Sequence, residues 1–299
     1  MVMLKLASPR VTKEILNRYN FRPSKGMGQN FLIDYNIVNI ILNAAELDPL
    51  DLAVEIGPGI GTMTREIASR AGYVLAIELD ERLISILQNT LEECNNVEII
   101  HADALKINFD RLMEERLGIF KSKTFKVIAN LPYYITTPLI MHLLEDHERW
   151  DQAVIMIQKE VADRILACPG TKEYGALSVS VQYYAEPQFI AKVPKTVFWP
   201  RPEVDSAIVK LKRRRVPPVE VRDKLLLFRV IQGVFTYRRK TILNALQNTF
   251  SVNRQDLIKV LETSPIDPSR RGETLSLEEF AILADNLLAL QEKIKKARL

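Results

Sequence analysis

The stretch IANLPYY, residues 128–134, follows an apolar run with an amide, a proline and two phenols. Two readings are open. It is a strand ending in a turn, with Pro132 fixing one dihedral and the tyrosines covering core, or it is a pocket for a flat, nitrogen-bearing ring. Upstream, EIGPGIG (55–61) sets glycines at 57, 59 and 61 behind the acidic Glu55. Glycines there admit positive φ and let the backbone approach a ligand closely. A dinucleotide fingerprint, G-x-G-x-x-G, wants its third glycine where this chain has Thr62. A tight turn without a ligand also accounts for the spacing. Glu78 is placed to accept hydrogen bonds from both hydroxyls of a ribose, as an acid does in nicotinamide enzymes too. Asp103, followed by Ala104, is placed to accept from the exocyclic amine of an adenine ring, or else to cap the short segment that follows it.

The elements that must position these residues are legible as a pattern. Between 50 and 160, β-type runs (52–57, 73–79, 97–103, 126–132 and 153–158) alternate with stretches whose apolar residues recur at helical spacing. Near-continuous apolar runs suit strands covered on both faces, and the alternation means an open, parallel α/β sheet. Such sheets bind ligands beyond the carboxyl ends of their strands. Gly57, Glu78, Asp103 and Asn130 each sit at the end of a successive run, so four strand ends deliver a glycine turn, two carboxylates and an amide to one edge. Beyond 202–215 the pair Pro217-Pro218 reads as a linker. Helical spacings follow over 223–248, and Ser276 with Glu279 forms a capping box before Phe280 and Leu283. The expected organisation is an α/β domain over 1–215, with 1–30 as a basic arm, and a small helical domain over 219–299.

Composition excludes several classes. With 299 residues, 47% hydrophobic and 26% charged, the chain has an ordinary globular composition. Its two cysteines, Cys94 and Cys168, have no ligand spacing, and the three histidines lie far from them, so neither a disulfide framework nor a metal site is expected. No apolar run approaches the ~18 residues of a membrane span, and the first residues lack a secretory core. A cytoplasmic protein is expected, and nothing demands more than a monomer. The net charge of +4 hides an asymmetry. Residues 201–299 hold 20 Lys and Arg against 12 Asp and Glu, while the first thirty hold six against Glu14 alone. Solvated surface or a polyanionic partner, most naturally nucleic acid, explains such flanks.

The series EIGPGIG, AIELD, HADAL and NLPYYITTP resembles the S-adenosylmethionine-dependent methyltransferases with a Rossmann-like seven-stranded sheet. More narrowly, the chain resembles the ribosomal RNA adenine N6,N6-dimethyltransferases of the KsgA type. KGMGQNFLID (25–34), QKEVADRI (158–165), YGALSVSVQYY (174–184), FWPRPEVDSAIV (198–209) and FTYRRKTILNAL (235–246) extend the likeness over nearly the whole chain. The glycine turn is common to many methyltransferases. The ordered combination of GQNFL, NLPY and F-x-P-x-P-x-V-D-S is specific. The resemblance implies that Asn30 and Leu32 line the cofactor pocket with Gly57, Gly59, Glu78, Asp103, Ala104 and Asn130, that Phe198 and Tyr133 sandwich the target base, and that EVDSAIVKL forms the final antiparallel strand.

The chemistry of NLPY then follows. An adenine amine is a poor nucleophile because its lone pair is delocalised into the ring. Two acceptors aimed at its protons, the Asn130 side-chain oxygen and the Leu131 carbonyl on a chain stiffened by Pro132, favour a more tetrahedral nitrogen. Tyr133 offers a stacking face, and packing is the expected role of Tyr134. The target base must leave its stack or lie in a single strand, as in RNA loops. Lys25, Arg238, Arg239 and Lys240 are expected to grip phosphates. The implied substrate is a pair of adjacent adenines near the 3′ end of small-subunit ribosomal RNA. The rivals are a large-subunit enzyme of the antibiotic-resistance type, a DNA adenine methyltransferase, and a non-catalytic RNA-binding assembly or transcription factor.

Overall fold

The computed structural model describes residues 6–24, 26–116 and 123–296. Nine strands run in chain order: β1 Phe31–Leu32, β2 Leu52–Ile56, β3 Tyr73–Glu78, β4 Val97–His101, β5 Phe125–Asn130, β6 Trp150–Gln158, β7 Ala185–Val193, β8 Phe198–Trp199 and β9 Ser206–Arg213. Seven of them form one sheet in the order β4-β3-β2-β5-β6-β9-β7. The pairs among β4, β3, β2, β5 and β6 are parallel, and β9 lies antiparallel between β6 and β7.

The expected Rossmann-like sheet is therefore present, with its reversed strand at β9. Residues of β2 are buried throughout, as a central strand covered on both faces requires. The edge strand β4 is only half-buried, a departure from the both-faces reading of its sequence. The run read as 153–158 begins three residues earlier, at Trp150, because β9 extends the ladder down to Gln152.

The chain steps outward from β2 to β3 to β4, then returns to pair β5 on the other side of β2. That reversal opens a crevice above the carboxyl ends of β2 and β5. The helix Tyr35–Ala45, capped by Asp34, packs Val38, Ile41 and Leu42 against Ile128 and Val154 of the sheet. The helix Pro9–Arg18 and the loop after it place Leu16 and Phe21 with Phe31, Ile60, Leu83 and Ile86 in a second core beside the crevice. A two-stranded ribbon pairs Phe31 with Trp199 and Leu32 with Phe198. It brings the GQNFL segment to the FWPRP segment, a juxtaposition that no periodicity announces.

The chain divides into two compact units, Met1–Ala162 with Ala185–Arg213, and Asp163–Tyr184 with Arg214–Leu299. The second break falls close to the expected 215. The expected inclusion of 163–184 in the α/β domain does not match this division. The reason is packing: Tyr174, Val179 and Tyr183 belong to the helical core with Val230, Ile231 and Phe280, and the Tyr174 hydroxyl donates to the Leu275 carbonyl at 3.0 Å. Within that unit the capping box is in place. Ser276 N–H donates to Glu279 Oε2 at 2.8 Å and Glu279 N–H donates to Ser276 Oγ at 3.2 Å, opening the helix Leu277–Lys296. Among the described residues no helix is long and apolar enough to cross a membrane.

Candidate active site

The crevice is a cleft with about 1040 Å³ of empty space, its open mouth included. Asn30, Leu32, Gly57, Gly59, Glu78, Asp103 and Ala104 line it, and so do Asn130, Leu131, Pro132, Tyr133 and Phe198. All twelve residues singled out for cofactor and base share one cavity. Residues 32–198 of that set come together because the β2/β5 reversal and the β1–β8 ribbon close on the same edge.

At one end lies the glycine turn. Gly57, Gly59 and Gly61 have φ of +75°, +62° and +84°, values that side-chain-bearing residues rarely adopt. A Cβ at Gly57 would project to 3.6 Å from the Asn130 carbonyl oxygen, into the cradle between β2 and β5. Glu78 is 6% exposed. Its carboxylate accepts from Gly59 N–H at 3.1 Å and from Asp80 N–H at 2.9 Å. Burial raises its pKa while those backbone donors oppose the rise. Asp103 uses one oxygen to cap Leu105 N–H at 3.1 Å, so the capping alternative is realised. Asp103 still lines the cleft, and a carboxylate has acceptor capacity left for a second donor.

At the other end lies NLPY. The Asn130 Nδ2 donates to the Asn30 carbonyl at 3.1 Å, and the Asn30 Nδ2 donates to the Gly28 carbonyl at 3.0 Å. Only an NH2 group can serve those carbonyls, so the Asn130 amide is oriented and its oxygen is left as the acceptor. Leu131 N–H anchors the turn on β6 through the Met156 carbonyl at 3.1 Å. The Pro132 carbonyl is taken up by the Thr136 hydroxyl and Ile135 N–H. Tyr133 is half-buried, its hydroxyl 3.2 Å from Ser206 Oγ, and burial holds its pKa above the ordinary value. Phe198 is 3% exposed and belongs to the sheet core as well as to the cleft wall.

Several lining residues had no role in the sequence reading. Gln29 bridges Asp80 at 2.7 Å and also accepts from Ser24 N–H, pinning the loop before β1 to the cleft. Glu55 is fully enclosed, and its oxygens make no hydrogen bond; the Thr64 hydroxyl approaches without reaching bonding geometry. Desolvation pushes its pKa up to about 8. Its position before the glycine turn was the one available signal. Thr62 also lines the cleft, and its buried hydroxyl is unpartnered. Tyr134, expected to pack, is 52% exposed. Lys25 lies outside the described residues. Arg238 is engaged by Glu273 at 2.8 Å, Lys240 lies over the Tyr237 ring, and Arg239 is exposed. Among the described residues there is no cluster of His, Cys, Asp and Glu that holds a metal.

A cleft with close-approach backbone at one end, the Glu78 and Asp103 side chains at its wall and an oriented amide beside an aromatic pair suits a nucleoside together with a base. S-adenosylmethionine fits this donor set: Glu78 and Asp103 would accept from its nucleoside, and the enclosed Glu55, which keeps its proton to about 8, adds no charge there.

Comparison with known proteins gives the family of the chain. A family model described as "Ribosomal RNA adenine dimethylase" matches residues 7–283. "Ribosomal RNA small subunit methyltransferase A" of Pelotomaculum thermopropionicum is 50% identical over 290 residues, 96% of this chain and 98% of the relative. The protein of the same description from Moorella thermoacetica is 50% identical over 284 residues, 94% of this chain and 98% of the relative. Among solved structures, a dimethyladenosine transferase from Plasmodium falciparum superposes with a TM-score of 0.72 at 28% identity, covering 88% of this chain and 98% of that one. The 23S rRNA methyltransferase ErmE gives 0.65 at 28% identity, covering 86% and 99%. On its cleft, its fold and these matches, the chain belongs to the ribosomal RNA adenine dimethylase family.

Proposed function

We propose that this chain transfers methyl groups from S-adenosylmethionine to N6 of two adjacent adenines near the 3′ end of small-subunit ribosomal RNA, two to each, during maturation of that subunit. The observation that carries the reading is the shared cleft. A nucleoside end built from Gly57, Glu78 and Asp103 faces an amine end built from Asn130, Tyr133 and Phe198. Likeness to small-subunit enzymes at 50% identity over nearly full length supports the choice of RNA.

Bound in the cleft, S-adenosylmethionine supplies an electrophilic methyl on a sulfonium. The chain's own residues do the rest. Asn130 Oδ1 and the Leu131 carbonyl accept hydrogen bonds from the two amine N–H groups and favour the pyramidal nitrogen. The Pro132 carbonyl is already bonded within the turn, which leaves Leu131 as the backbone acceptor. Tyr133 and Phe198 hold the base flat between them, so its nitrogen is presented in line; positioning of this kind is worth several orders of magnitude in rate. Leu32 and Ala104 exclude water from the nucleoside. Lys25, Arg238, Arg239 and Lys240 bind phosphates, with Arg238 exchanging its Glu273 partner for RNA. The protein acts as a cytoplasmic monomer, without metal.

The test is incubation with labelled S-adenosylmethionine and small ribosomal particles from a strain lacking the modification. Labelled dimethyladenosine in small-subunit RNA is expected. Label confined to large-subunit RNA would move the chain to the resistance type, which the ErmE likeness keeps in view. No label in either would leave a binding factor.

A further inference from the structure

We infer that Tyr134 is a stacking platform at the mouth of the cleft for the nucleotide that flanks the target adenine. The inference rests on the RNA substrate proposed above and extends it beyond the base that enters the cavity.

Three observations carry it. Tyr133–Ile135 is a single 3-10 turn. At three residues per turn, neighbouring side chains leave it about 120° apart. Two consecutive tyrosines therefore face different ways: Tyr133 is half-buried and tied to Ser206, while Tyr134 lines the same cleft yet is 52% exposed. Secondly, Tyr134 is in neither of the two α/β cores described above, the one around Ile41 and the one around Leu16, nor in the helical core. A large aromatic ring at the rim of a cavity, outside these cores, is placed for a ligand rather than for stability. Thirdly, one edge of the ring lies beside the loop before β1: a Cβ built on Gly28, whose φ is +59°, would lie 3.7 Å from Tyr134 Cδ1 and 3.6 Å from Pro132 Cβ.

The chemistry of the substrate supplies the occupant. A base drawn out of its stack between Tyr133 and Phe198 leaves its neighbour with one face bare, and a single phosphodiester keeps that neighbour at the cavity mouth. An exposed phenol restores the lost stacking, and it does so without reading sequence. When the flanking nucleotide is the partner adenine, it offers a purine face, larger than a pyrimidine's. The two adenines therefore meet Tyr134 with different neighbours, and the residue acts on substrate positioning and on the balance between the two sites.

The test uses the full chain with Tyr134→Ala and Tyr134→Phe on unmodified small ribosomal particles, reading KM for RNA, kcat, S-adenosylmethionine affinity, and dimethylation at each adenine by mass spectrometry. Loss of one stacked base converts to a rise in KM of about 5- to 150-fold for Tyr134→Ala. The ratio between the two adenines shifts, cofactor affinity stays, and Tyr134→Phe restores both KM and the ratio. An unchanged KM and ratio in Tyr134→Ala, or a Phe variant as impaired as the Ala variant, overturns the inference. Wild-type protein that leaves small-subunit RNA unlabelled removes the functional reading itself, and this inference with it; active wild type with an indifferent Tyr134→Ala removes the inference alone.

Discussion

Glu55 gives the sharpest test of the electrostatics beneath the glycine turn. Its carboxyl is fully enclosed on the central strand, has no hydrogen-bond partner, and has a pKa pushed from 4.5 up to about 8 by desolvation. Between those values the folded chain keeps a proton that the unfolded chain releases. Stability from this group is therefore complete at acid pH and is lost as pH rises through the window, at about 1.4 kcal/mol per pH unit. Integrated from about pH 5 to about pH 7.5, the loss is about 3 kcal/mol. Glu55→Gln keeps the shape and removes the titrating group. Urea unfolding of both proteins without cofactor, at several pH values across that range, isolates the term as a difference, because every other titrating group is common to both. The variant should gain on the wild type steadily with pH, reaching about 3 kcal/mol. A difference flat to within about 0.5 kcal/mol, the scatter expected of such cycles, would mean that the buried carboxyl has an unseen partner and that its desolvation has been misjudged.

Removing the oriented acceptor by Asn130→Ala should cut kcat by about 100-fold or more, as loss of one preorganised transition-state contact does; calorimetry should find cofactor binding within about tenfold of wild type, and near-normal turnover would remove the role assigned to the amide. Gly59→Ala forces a side chain into φ +62°, with its Cβ 3.2 Å from two Phe31 ring carbons. The left-handed backbone alone costs about 1–2 kcal/mol, so both the thermal midpoint and cofactor affinity should fall; a variant indistinguishable from wild type in both would show that the turn tolerates a side chain. RNA affinity should drop at least about tenfold between low and moderate salt while kcat at saturation holds, and Arg239→Ala should reduce the slope of log affinity against log salt by about one. A slope unchanged in Arg239→Ala would place the phosphate contacts elsewhere.

Legibility from the sequence was uneven for physical reasons. Gly57, Glu78, Asp103 and Asn130 were readable because in a parallel sheet every strand end faces the same edge, so position along the chain converts directly into position in space. The β1–β8 ribbon was not. Two-residue strands have no periodicity, and the pairing of Leu32 with Phe198 spans most of the α/β unit. YGALSVSVQYY carries several apolar residues, but apolarity does not say which core receives them, and Tyr174 and Tyr183 belong to the helical one. Packing is the expectation for Tyr134 because aromatic composition does not reveal direction; the 3-10 turn sets that. Asp103 showed that capping and ligand facing are not exclusive, since one oxygen suffices for Leu105 N–H.

The cleft also constrains how protons are handled. Burial leaves two of its ionisable side chains unsuited to act as a strong base at neutral pH: Glu55 holds its proton to about 8, and the Tyr133 phenol stays protonated. Glu78 already accepts from Gly59 and Asp80 N–H groups. An adenine amine does not need a strong base. Its nitrogen becomes acidic only after the methyl arrives, and a weak acceptor then suffices to carry the proton away. A strong base near a sulfonium would instead be a competing nucleophile. A neutral amide and a main-chain carbonyl hold the amine without that hazard. After the first transfer one amine proton remains, so one of the two acceptors still holds the nitrogen while the new methyl has to rotate away from the other before the second transfer.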